Sequence, residues 1–228
     1  MDWALAIKRN RDQIKDIVLA LFVLAKMRVG GSLFTLPRST LSAIMLVLRP
    51  AESAVRRLIV IAAHSLVLKP ANPRDFVILG LRPEGPASAP FDDFYRTKAF
   101  KLFDPLKSID PDSIWDTDPV WESGYDLKSN HGWQDATIDH TPLDATHIGQ
   151  RLNALMRALD NLPAQARRLA RWQLKRDAAL KARRPTRMSP MRPGLPPGWR
   201  ERRINEIDTV LRECHGLAND LLNAPNTS

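Results

Sequence analysis

"PAESAVRRLIVIAAHSL", Pro50 to Leu66, decides between an all-helical chain and one built on a sheet. Its centre, Leu58 to Ile61, is apolar and β-branched enough for a buried strand, and a run this short does not separate strand from helix by periodicity. The neighbouring residues separate them. Proline suits a first helical turn, Glu52 sits where the positive end of a helix dipole favours an acid, and the run continues into alanines. We read a helix that begins at Pro50.

Towards the N-terminus the same periodicity recurs. Asp2 offers a cap, and Ile7, Ile14, Ile17, Val18, Leu21, Leu24 and Ala25 follow at helical spacing until Gly30 and Gly31. A second helix is expected from near Pro37 through Leu41, Ile44, Met45 and Leu48, with Pro50 restarting the chain. Residues 1–70 thus read as a three-helix unit. The apolar run Ile17 to Ala25 is nine residues long, whereas a membrane-spanning helix needs roughly 20, so it is expected to be buried in protein.

The C-terminal segment, 143–228, carries two heptad seams. Ile148, Leu152, Leu155, Leu159 and Leu162 form one, and Ile204, Ile207, Leu211, Cys214, Ala218 and Leu221 form the other. They suggest an antiparallel helical hairpin. Between them another helix starts at Pro163, followed by an Arg/Pro-rich excursion. Residues 71–142 differ: prolines at 70, 73, 83, 86, 90, 105, 111, 119 and 142 exclude long regular elements, and we expect a partly disordered linker or docking segment. Yet Phe91, Phe94, Tyr95, Phe100, Phe103, Trp115, Trp121, Tyr125 and Trp133 lie here, and solvating linkers are poor in aromatics. They dock either on the chain's own helices or on a protein partner. The fold class expected is all-α.

Charge is distributed unevenly. The net +9 resolves into +7 over residues 1–71, −7 over 72–146 and +11 over 165–203, the last from 13 bases against 2 acids. A polyanion, DNA or RNA, is the natural partner for such a stretch. The helix from Pro163 places Arg167, Arg168, Arg171 and Lys175 within an arc of about 100°. Beyond it, Arg183, Arg184, Arg187, Arg192, Arg200, Arg202 and Arg203 are interleaved with prolines that hold an extended backbone. Extended arginine arms follow phosphates or enter a minor groove. Arg192 to Pro196 approaches an Arg-Gly-Arg-Pro groove hook, with Leu195 in place of its second arginine. Trp199 is placed either to stack on a base or to anchor the loop. A solvated helix face is the plain counter-reading, and a contact between basic loop and acidic middle is another. So is an adaptor role in which the apolar N-terminal helices seat on a protein or membrane surface.

Catalytic and metal chemistry find little footing. His131, Asp135, Asp139 and His140 have ligand-type side chains, but their spacing matches no metal motif, and no cofactor is expected. Cys214 and His215 are sequence neighbours, which point about 100° apart on a helix and cannot act as a dyad. Asp92 with Asp93, and Asp110 with Asp112, lack an evident scaffold for acid–base work. The expectation is a non-enzymatic binding protein. One cysteine leaves no internal disulfide, consistent with a reducing compartment.

"LRPAESAVRRLIVIAA" at 48–63, "NALMRALDNLPAQARRLARWQ" at 153–173 and "RPGLPPGWR" at 192–200 together resemble a family of uncharacterised basic bacterial proteins. The resemblance covers both helical ends and omits the middle. It implies a bacterial cytoplasmic setting and transfers no functional residue.

Overall fold

The computed structural model describes residues 3–64, 66, 99–105 and 142–223. Among them the chain is all-α apart from one small strand pair: α1 (Trp3–Leu24), β1 (Thr35–Pro37), α2 (Arg38–His64), β2 (Pro142–Asp144), α3 (Thr146–Asp160), α4 (Leu162–Lys181) and α5 (Glu206–Asn223). The deciding stretch is helical. From Ser53 to Ile61 every residue of α2 is buried, so the helix is enclosed on all sides as the axis of the molecule. Helices α5, α4, α1 and α3 pack around it.

The expected break at Pro50 does not occur. A single helix of 27 residues, about 40 Å long at 1.5 Å per residue, runs through it, so the N-terminal part holds two helices where three were expected. Proline inside a helix removes one N–H and leaves the carbonyl four residues earlier without its partner. Here that carbonyl belongs to Leu46, and Nη2 of Arg200 donates to it from the Arg/Pro-rich loop. The loop sits close enough for this because position 198 is glycine. A Cβ there would lie 2.7 Å from the Pro50 nitrogen, and its φ of +79° is in the left-handed region. Pro196, Pro197, Gly198 and Trp199 close a turn through Trp199 N–H to Pro196 O at 3.1 Å, with glycine at the one position that requires positive φ. The loop therefore compensates the proline of the central helix.

The helix ends follow local chemistry. α1 stops at Leu24, before Gly30 and Gly31: Lys26 takes φ 51° and the amide of Met27 bonds back to Phe22 O at 3.0 Å. α4 stops the same way, with Arg183 at φ 53° and the amide of Arg184 on Ala179 O at 2.9 Å. Both are Schellman closures with a cation where glycine is usual, and the cation faces the negative end of the dipole. Asn161 caps α4 by accepting from Ala164 N–H at 3.3 Å, with Pro163 in the first turn. Asp208 reaches back from the first turn of α5 to the amides of Ile204 and Asn205 at 2.9 and 3.1 Å, half of a capping box.

The first seam is buried throughout and the second from Ile207 to Ala218, with Leu221 half-buried, and both converge on the N-terminal helices. Leu152, Leu155 and Leu159 of α3 and Ile207, Leu211, Cys214 and Ala218 of α5 join one hydrophobic cluster with Ile14 and Val18 of α1 and Leu48, Leu58 and Ile59 of α2. Ile204 falls outside α5 and is 63% exposed. The segments 1–70 and 143–228, distinct in sequence, thus share a core. Strand β1 pairs antiparallel with β2, joining the two, and the ladder stops where Pro37 faces Pro142 and neither has an N–H to give.

Candidate nucleic-acid interface and the buried arginine network

The outer face of α4 is basic. Ala166 and Leu169 are buried, Trp172 packs edge-on against Phe103 with centroids 4.9 Å apart, and Arg167, Arg168, Arg171 and Lys175 are exposed on the opposite side. Arg167, Arg171 and Lys175 follow one another by four residues, a rise of about 6 Å each. Lys181 at the end of α4, and Arg183 and Arg184 just after it, continue the exposed charge, and Arg202 and Arg203 are exposed at the far end of the loop. Asp177 is the one acid on α4, and it pairs with Arg176 at 2.7 Å.

Four of the proposed contact residues are committed to the fold. Arg168 donates to Phe100 O at 3.0 Å. Arg187 donates to Ser189 O at 2.7 Å and Asp104 O at 2.9 Å, and its guanidinium lies 5.1 Å from the Phe103 ring centroid. Arg192 Nε donates to Leu195 O at 2.8 Å. Arg200 pairs with Asp208 at 3.0 Å besides holding Leu46 O. The expectation that prolines keep Arg187, Arg192 and Arg200 on an extended arm is corrected: all three are half-buried and bind the protein's own carbonyls and acids. Desolvated carbonyls beside a proline-rich backbone require donors, and arginine has five. Trp199 likewise anchors the loop, with Arg212 4.4 Å over its ring and His215 edge-on at 5.7 Å.

The interior holds what the sequence reading left unassigned. Arg57 is wholly buried and meets the equally buried Asp104 at 2.9 Å. Arg56 bridges Asp104 at 3.4 Å and Glu52 at 3.3 Å, and Arg151 grips Glu52 with two bonds of 2.9 and 3.0 Å. Arg57 also donates to Ser53 O and Oγ at 2.8 and 2.7 Å and to Nδ1 of His215 at 3.3 Å. Burial lowers the Arg57 pKa from its usual value, and Asp104 opposes that shift. His215 is lowered too, first by burial and then by the Arg57 charge. On the other side of the ring, Nε2 of His215 lies 3.2 Å from Nδ2 of Asn219. Burial pushes the Cys214 thiol up to about 12, so it is an unreactive core residue. Hydrogen bonds from Thr146 at the start of α3 hold the Asp144 carboxyl below its usual range.

The signal for this network was present. Arg56 and Arg57 interrupt an apolar run on both sides, and adjacent charges in an enclosed helix require buried partners. The identity of the partner was not legible, since Asp104 lies 47 residues away in a proline-rich segment. Among the described residues no group of three metal-ligating side chains occurs, and no helix is long and apolar enough to cross a membrane. His131, Asp135, Asp139 and His140, the acid pairs Asp92–Asp93 and Asp110–Asp112, and the aromatics Phe91, Phe94, Tyr95, Trp115, Trp121, Tyr125 and Trp133 lie outside the described residues. Phe100 and Phe103, the two aromatics of that segment that are described, dock on the chain's own helices. Comparisons with protein-family models, curated proteins and solved structures give no match to this chain.

Proposed function

We propose that this protein binds the phosphate backbone of a nucleic acid, without catalysis, through the exposed face of α4 and the cations that continue it. The observation that carries the reading is the alignment of exposed Arg167, Arg171 and Lys175 along a well-packed helix whose one acid, Asp177, is paired with Arg176. A fixed row of cations meets successive phosphates with little ordering cost, and each contact releases counterions. The contact set is Arg167, Arg171, Lys175, Arg183, Arg184, Arg202 and Arg203. Arg168, Arg187, Arg192 and Arg200 act by shaping the scaffold. Readout of base identity has no evident carrier in this set, so binding is expected to be indifferent to sequence.

Fluorescence anisotropy with a labelled random-sequence duplex and a single strand, each at two salt concentrations, tests this. Micromolar or tighter binding that collapses with salt supports it, and no binding at low salt overturns it.

A second reading rests on a different surface. Leu19, Val23, Leu24 and Val29 are exposed at the C-terminal end of α1, beside exposed Lys26 and Arg28. Apolar side chains beside cations suit a protein or an anionic lipid surface. Liposome flotation that survives nuclease and is lost on Val23→Asp would favour this adaptor role.

A further inference from the structure

Residues 99–105, "AFKLFDP", cross the molecule between α2, α4 and the Arg/Pro-rich loop without forming helix or strand. Their burial alternates. Phe100, Leu102 and Asp104 are 5%, 4% and 1% exposed, whereas Ala99, Lys101 and Pro105 are exposed and Phe103 lies between. That period of two is the habit of an extended chain with one face against a surface. The backbone is held as well. Arg168 takes Phe100 O at 3.0 Å, Arg56 takes Lys101 O at 3.1 Å, Arg187 takes Asp104 O at 2.9 Å, and Asp104 N–H donates to Pro190 O at 3.0 Å. The Asp104 carboxylate ends the segment between two guanidiniums, Arg57 at 2.9 Å and Arg56 at 3.4 Å.

Main-chain capture combined with pockets for alternate side chains is how proteins recognise extended peptides. We propose that this channel is a peptide-docking groove, selective for two apolar side chains spaced two apart and followed two residues later by a carboxylate, and that residues 99–105 are its ligand supplied in cis. The selectivity resides in Asp104. Phe100 and Leu102 occupy apolar space that many side chains would fill, but two arginines enclosed in protein require an anion at that one position. The same segment of a second copy of this chain fits only by displacing the resident one. Tethering gives the resident segment an effective concentration of about millimolar, so the groove is normally closed to competitors. The groove is separate from the outer face of α4 and does not depend on the polyanion reading.

The test uses the full-length chain carrying Phe100→Ala, Leu102→Ala and Asp104→Ala together, and a fluorescein-labelled peptide of residues 99–105. The expected result is saturable binding to the variant, at least tenfold weaker binding to the unaltered chain, and at least tenfold loss when the peptide itself carries Asp104→Ala. If the variant does not fold alone, recovery of its helical circular dichroism on adding peptide, and not on adding the Asp104→Ala peptide, is the same outcome read differently. Equal binding to both proteins, equal binding of both peptides, or no recovery at millimolar peptide would each overturn the proposal.

Discussion

Arg56 and Arg57 of α2 and Arg167 and Arg171 of α4 are the same residue in the same kind of helix, in opposite solvents. On α4 the guanidiniums are exposed, and water and salt screen whatever they meet. On α2 they are enclosed, and each has a carboxylate or carbonyl within hydrogen-bonding distance. Removing one partner of a buried pair strands the other, whereas trimming an exposed cation strands nothing. Net charge therefore overstates the surface available to a polyanion, because part of the arginine complement is cement for the fold.

The sharpest way to break this contrast is Asp104→Ala. We expect a loss of about 3–5 kcal/mol in urea unfolding, because Arg57 is left buried and uncompensated. A loss below ~1 kcal/mol would mean that the two classes of arginine do not differ as described. Next is the loop that compensates Pro50: Gly198→Val should cost about 2–3 kcal/mol, from positive φ and the approach to the Pro50 nitrogen together, read as a lower thermal midpoint. On the outer face, Arg167→Ala, Arg171→Ala and Lys175→Ala combined should leave stability within ~1 kcal/mol. The same variant should weaken duplex binding by about tenfold or more and reduce the salt slope by roughly three.

His215 supplies a titration of the interior. Its folded pKa lies below the unfolded value, so the neutral imidazole favours the fold. That stability is complete above about pH 6.5, the ordinary histidine value, and is lost as pH falls from there towards the lowered folded pKa. Unfolding free energy should be flat from pH 8 to 7 and decline below about 6.5, and His215→Gln should flatten that decline. The smallest effect is at the closure of α4, where Arg183→Gly relieves a left-handed non-glycine residue. It should raise stability by about half a kcal/mol and remove one of the outer cations, visible as a slightly shallower salt slope.

Legibility followed the range of the interactions. Most of the two seams, the start of a helix near Pro163, and the basic arc of α4 were readable because each depends on residues within a few turns of one another. Pro50 was misread for the complementary reason. Its local cost is real, but Arg200 and Gly198, about 150 residues later, remove much of it. Arg187, Arg192 and Arg200 were likewise indistinguishable from Arg183 or Arg203 in sequence, since nothing local says whether a guanidinium will meet water or a carbonyl.

Amino-acid order alone determined that this chain is helical, where its apolar stripes run, and that a strongly basic stretch follows α3. These are short-range consequences of side-chain spacing and backbone propensity. Only the tertiary structure decided that both helical ends share one core, that α2 passes through a proline, and which arginines face outward. Those outcomes depend on desolvation, and a side chain's solvent is set by the rest of the molecule closing around it.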